Sequence, residues 1–146
     1  MPGEPNPRLA GFFNTAPAGL LSLFLGLAAA ALAWQLNKTA VFWVPRGRVV
    51  LAPLAEESAK TLPAVILGAD IFLTHLFFGV VEGIWEFISV SRGGIYAALA
   101  AVGGHSIFGA LTFLVFMQAG TAPALVAGYL AHAAWNGAVL KFFAPR

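Results

Sequence analysis

Two adjacent glutamates and a lysine, Glu56-Glu57-x-x-Lys60, stand inside Leu51 to Leu67, LAPLAEESAKTLPAVIL, a run otherwise apolar enough to lie in hydrocarbon. Three later apolar stretches carry Glu82, His105, and His132 with Asn136 one helical turn beyond it. A carboxylate held among apolar residues suits a general base for water, and imidazoles or an amide beside it can orient that water or stabilise an oxyanion. Glu82, His105 and His132 also make up the two-imidazole, one-carboxylate set of a catalytic zinc site that keeps a coordination position open. There is no HExxH, and ligands on three separate segments do not follow from spacing, so metal-free and zinc-dependent chemistry both stand at this point.

Such residues oppose insertion into a bilayer. A central carboxylate or lysine costs about 2.5–3.5 kcal/mol on insertion scales, so Glu56, Glu57, Lys60 and Glu82 together forfeit on the order of 10 kcal/mol before any pairing. Packing alone does not need them. On a helix Lys60 lies four residues after Glu56 and three after Glu57, within reach of either. Glu57 therefore reads either as a structural partner of Lys60 or as part of the reactive group. Glu86 and His75, nearer the ends of their segment, read as interfacial residues.

The elements that must position these groups follow from composition. The chain has 146 residues, of which 60% are hydrophobic and 10% charged, against about 45–50% apolar and about 25% charged in a soluble domain. With a mean hydropathy of +0.84 this is the composition of an integral membrane protein. At about 20 residues per helical span the length accommodates roughly five crossings and no sizeable soluble domain. The absence of cysteine excludes disulfides and thiolate chemistry. The net charge of +2 comes from scattered basic residues, with no block suited to nucleic acid.

Hydropathy and turn residues predict an all-α bundle: an exposed arm over residues 1–15, then one helical domain over 16–146 with spans at about 16–36, 49–68, 71–90, 95–117 and 122–143. The first span, with Ala31-Leu32-Ala33 near its end, also has the form of a secretory signal peptide. Pro63, just beyond the acidic motif, removes an amide and predicts a kink there. Gly79-Val-Val-Glu-Gly83, Gly104, Gly109 and Gly128 predict close helix packing. With five spans, Lys38, Arg46, Arg48, Arg92, Lys141 and Arg146 share one side and only Arg8 lies on the other. The positive-inside rule then puts the N-terminus outside and the C-terminus in the cytoplasm. At about 1.5 Å per residue, Glu56, Glu82, His105 and His132 come to similar depths, about 10–16 Å from the ends of their spans. A bundle of those four helices would enclose one acidic, imidazole-rich cavity.

Taken together, Glu56-Glu57-Ser-Ala-Lys60, Phe78-Gly-Val-Val-Glu82, Gly104-His105 and His132-Ala-Ala-Trp-Asn136 resemble the EExxK, FxxxE, H and HxxxN series of the PrsW-like intramembrane proteases, within the superfamily of CPBP proteins and CAAX prenyl proteases. The resemblance covers about Pro53 to Gly137. Lys60 stands where prenyl proteases usually have Arg, Glu82 where they have His, and Gly83 where PrsW-like proteins often have Asn. It implies an intramembrane endopeptidase acting on a membrane-embedded or membrane-adjacent peptide. In that reading Glu56 is the base, Glu57 and Lys60 hold it, His105 and His132 orient water or stabilise the oxyanion, and Asn136 donates to the oxyanion. Zinc is a candidate cofactor, and the expected partners are a membrane peptide and the bilayer. The same fold resembles the anterior-pharynx-defective subunit of γ-secretase, which leaves a non-catalytic scaffold as the alternative. A small proton-coupled carrier is a third class, without the inverted repeats that would support it.

Overall fold

The computed structural model describes residues 16–39, 47–90 and 93–143. Among them the chain forms five helices and no strand: α1 (Ala16–Thr39), α2 (Gly47–Leu67), α3 (Ile71–Ser89), α4 (Gly94–Ala119) and α5 (Thr121–Phe143). The all-α bundle expected from the sequence is the fold observed, and the boundaries lie within about three residues of the expected ones. The expected N-terminal arm, and Arg8, Arg46, Arg92 and Arg146 of the charge argument, lie outside the described residues.

Local chemistry sets the breaks. Gly68 ends α2 with a φ of +72° and Gly120 separates α4 from α5 with a φ of +85°, a region that side-chain-bearing residues rarely enter. Asp70 then caps α3 by accepting from the Leu73 amide at 2.8 Å. The Asp70 amide in turn donates to the buried Ser22 hydroxyl at 3.0 Å, which ties the α2–α3 turn to α1. α2 runs unbroken through Pro53 and Pro63.

The helices close into a ring. α1 packs on α3, α3 on α4, α4 on α5, α5 on α2 and α2 on α1, with a lighter α2–α3 contact across the ring. The α3–α4 contact is the most extensive, and glycine makes it so. A Cβ at Gly79 would stand 2.8 Å from the His105 Cβ, and one at Gly109 would stand 2.6 Å from the His75 Cβ. Backbone therefore sits where a side chain would hold these helices apart.

Three helices are long and apolar enough to cross a membrane: residues Pro17–Lys38 of α1, all of α3 and all of α4. α2 and α5 have 21 and 23 residues, sufficient in length, but Glu56, Glu57 and Lys60 on the one and His132 and Asn136 on the other lower their hydropathy. Apolar side chains face outward around the bundle, among them Leu20, Phe24, Ile66, Ile88 and Tyr96. Such a surface suits hydrocarbon rather than water.

Candidate active site

Glu57 is the hub of the bundle interior. It projects from α2, is fully buried, and its two oxygens meet three bases from three helices. Lys60 Nζ donates to Oε1 at 2.6 Å, His132 Nδ1 on α5 lies 2.9 Å from the same oxygen, and His75 Nε2 on α3 lies 2.9 Å from Oε2. Lys60 is also fully buried. Its ammonium reaches His105 Nδ1 on α4 at 3.0 Å and lies 4.3 Å from the centre of the Phe78 ring. A lysine buried this deeply survives because its charge meets a carboxylate, an imidazole lone pair and an aromatic face.

The donor inventory fixes the imidazole tautomers. An ammonium only donates, so His105 Nδ1 accepts from Lys60 and His105 Nε2–H donates to Glu82 Oε2 at 2.6 Å. His75 Nδ1–H donates to the Ile71 carbonyl at 2.9 Å, leaving Nε2 to share a proton with Glu57. His132 donates from Nδ1 to the Glu57 carboxylate, so its Nε2 lone pair points away from that hub. Ring packing holds these orientations. His132 stacks on Phe108 with centroids 4.8 Å apart, and His105 stands edge-on to Phe78 at 4.7 Å and to His132 at 5.0 Å.

Glu56 differs from its neighbour. It is buried, its Oε1 accepts from the Asn37 amide at 3.4 Å, and its Oε2 has no hydrogen-bond partner among the described residues. The closest base to that oxygen is His132 Nε2, at 3.8 Å. A carboxylate oxygen and an imidazole lone pair thus face one another at 3.8 Å. Two acceptors in a buried position need a shared donor or a cation.

One atom each from Glu56, His105 and His132 lie within 4.8 Å of one another, and this group could hold a metal ion. The carboxylate of the set is Glu56, in place of the Glu82 expected from the sequence. Glu82 instead sits on the Nε2 of His105 with its side chain 39% exposed, the position of a residue that orients a ligand rather than one that joins it. A zinc ion at about 2.0–2.2 Å from each ligand would bring ligand atoms to about 3.4 Å apart, and a bridging water needs about 4.5 Å. The 3.8 Å gap between Glu56 and His132 lies between these values.

A cleft of about 250 Å³ opens beside these groups. His105, Phe108 and His132 form its inner end, and Ala97, Ala101 and Gly104 make a smooth wall on α4. Trp135, Asn136, Glu82 and Glu86 also line it.

Sequence spacing brings Glu56, Glu57, Lys60, His105 and His132 together, as observed. Asn136 lines the cleft, but its amide donates to the Arg48 carbonyl at 3.0 Å and so ties α5 to the start of α2. Two residues of the site were not expected. His75 reads as interfacial in sequence and is wholly buried against Glu57. Its signal is register: Ile71, Thr74, His75, Phe78, Gly79 and Gly83 form the buried stripe of α3, with Glu82 one turn on from Phe78. Asn37 reads as a loop residue, whereas α1 runs to Thr39 and carries it to Glu56.

No protein-family model matches this chain, and neither the curated proteins nor the solved structures contain a match.

Proposed function

We propose that this chain is an intramembrane endopeptidase of the PrsW-like kind, crossing the bilayer five times and hydrolysing a peptide bond of a membrane-embedded or membrane-adjacent substrate. The observation that carries the proposal is the unpartnered Glu56 Oε2 facing the Nε2 lone pair of His132 at 3.8 Å, beside a cleft lined by both histidines. A structural carboxylate would be satisfied, as Glu57 is. This one is left available.

In the proposed reaction a water held by Glu56 and His132 gives one proton to Glu56 as its oxygen bonds to the scissile carbonyl carbon. The carbonyl oxygen takes up the negative charge near the Lys60 ammonium and the imidazoles, with the second N–H of Asn136 as a further donor. Collapse of the tetrahedral intermediate breaks the C–N bond, and Glu56 returns its proton to the leaving amine. Glu57 is the fixed counter-charge that keeps Lys60 and His132 in place. Glu82 does the same for His105.

Glu56, His105 and His132 would also hold a divalent ion such as zinc, which would polarise the carbonyl and supply a more acidic bound water. His105 would first have to release Lys60 or Glu82, since both its nitrogens are engaged. The reading favoured is therefore the metal-free one, in which Lys60 supplies the positive charge. A non-catalytic scaffold is the second reading, and the saturation of the Glu57 network by internal partners favours it.

The test is cleavage of a library of membrane peptides by the purified chain in vesicles. General-base catalysis is worth about 10²–10⁴-fold, so Glu56→Gln is expected to lower cleavage by at least a hundredfold. Undiminished cleavage by Glu56→Gln removes the proposed base. Loss on chelation with recovery on adding zinc makes the ion necessary. A chain that cuts nothing but co-purifies stoichiometrically with a partner is the scaffold.

A further inference from the structure

The cleft has a chemical asymmetry that the hydrolytic reading does not use. Its inner end is occupied by His105 and His132, its α4 wall is Ala97, Ala101 and Gly104, and its α3 side presents Glu82 and Glu86. Glu82 is engaged by His105. The Glu86 carboxylate has neither a hydrogen bond nor an ion pair among the described residues. Carboxylates four residues apart on a helix repel one another. Neither the reaction nor the packing of α3 on α4 requires an acid at this position.

We propose that Glu86 selects the substrate: the cleft takes a peptide with a lysine or arginine close to the scissile bond, whose cationic end pairs with Glu86. The proposal rests on the hydrolytic reading for the bond that is cut, and on the cleft alone for the class of peptide that is bound. Glu86 lies one helical turn beyond Glu82, about 6 Å along the axis. Glu82 marks the level of His105 through their hydrogen bond. An extended peptide covers that distance in about two residues. The basic residue therefore lies about two positions from the bond cleaved, on the side of the α3–α4 turn. The small side chains of Ala97, Ala101 and Gly104 let a peptide backbone lie close against α4. Trp135, which also lines the cleft, offers a face to the aliphatic stem or the cation.

The experiment uses the full chain in vesicles and three membrane peptides that are identical except at one position two residues from the scissile bond: Lys, Gln or Glu. Cleavage of the Lys peptide is expected to exceed that of the Gln peptide by tenfold or more in kcat/KM. Glu86→Gln is expected to reduce that ratio below twofold, and Glu86→Lys to invert the preference in favour of the Glu peptide. Equal cleavage of the Lys and Gln peptides by the unsubstituted chain overturns the proposal, as does a preference that survives Glu86→Gln. Binding of the same labelled peptides to Glu56→Gln, read by fluorescence energy transfer, separates the two readings. A Lys preference in binding to Glu56→Gln, with no peptide cut by the unsubstituted chain, supports the cleft assignment while the protease reading fails. Indifferent binding overturns the assignment whether or not peptides are cut.

Discussion

The two neighbouring glutamates of α2 have opposite circumstances, and the proposed hydrolysis rests on that difference. Glu57 is neutralised by Lys60 and held by His75 and His132, whereas Glu56 has one oxygen without a partner among the described residues. Removing one member of a buried ion pair leaves the other charge uncompensated, a loss of about 3–5 kcal/mol, while replacing both is far better tolerated. Lys60→Met is therefore expected to destabilise the detergent-solubilised chain by that amount, with Glu57→Gln/Lys60→Met recovering most of it in the same unfolding titration. If Lys60→Met changes stability by less than about 1 kcal/mol, Glu57 is not the buried counter-charge described. His75 acts on the same carboxylate from the far side. Its replacement by Phe keeps a ring against Gly109 but strands the buried Glu57 Oε2, a loss of about 1–3 kcal/mol when left unsatisfied. His75→Phe should thus lower the midpoint of unfolding clearly, whereas His75→Gln, which can still donate, should lower it less. Equal losses from the two variants would mean that ring packing, not hydrogen bonding, is the role of His75.

Helices deliver these side chains to one place because glycine lets α3, α4, α5 and α2 approach. A methyl group at Gly79 would collide with the His105 side chain, and one at Gly128 would press on Thr112 Oγ1 and stand 2.9 Å from Glu57 Oε2. Overpacking of this kind costs about 1–3 kcal/mol, so Gly79→Ala and Gly128→Ala should each lower stability and the proposed peptide cleavage with it. Gly103 has open space where a Cβ would stand, and Gly103→Ala should leave the unfolding midpoint unchanged or slightly raised, as expected for an exposed helical position. A Gly103→Ala loss matching that of Gly79→Ala would refute the packing account. The helices themselves were legible in sequence because long apolar runs punctuated by Gly68, Gly93-Gly94 and Gly120 leave little choice. The acid and imidazole residues of the site were legible because each is anomalous in such a run. His75 was not, since its depth estimate put it near an end while its burial depends on the face it shares with Phe78. Nor was Asn37, because it stands with Lys38 just beyond the expected end of the first span, in residues that read as the start of a connection, whereas α1 runs on to Thr39. The partner of Asn136 is a backbone carbonyl, that of Arg48, and backbone carbonyls leave no sequence signature at all.

At the scale of the molecule, the question is how a ring of five helices meets a bilayer when three of them satisfy the hydropathy of a span and two do not. α1, α3 and α4 are the apolar three, and α2 closes the ring between α1 and α5. The helices have 19 to 26 residues, about 28–39 Å of length, and α2 packs along α1 and α5, so in the five-crossing arrangement proposed here it lies at bilayer depth. Its Glu57 and Lys60 then pair with each other and with His75, His105 and His132 rather than facing lipid, which offsets the insertion penalty inside the bundle. The five crossings proposed above put residues 91–94 on the cytoplasmic side and the α4–α5 junction outside. Three crossings, with α2 and α5 on the cytoplasmic surface and the N-terminus still outside, would reverse both positions. The chain has no cysteine, so a single introduced thiol is a clean reporter. Ser91→Cys should react with a membrane-impermeant maleimide only after the cytoplasmic face is opened, and Ala119→Cys should react from outside in intact cells. The opposite pattern at both positions would leave the charged helices on the membrane surface and the site without a hydrophobic enclosure, and the intramembrane chemistry proposed here would fall with it.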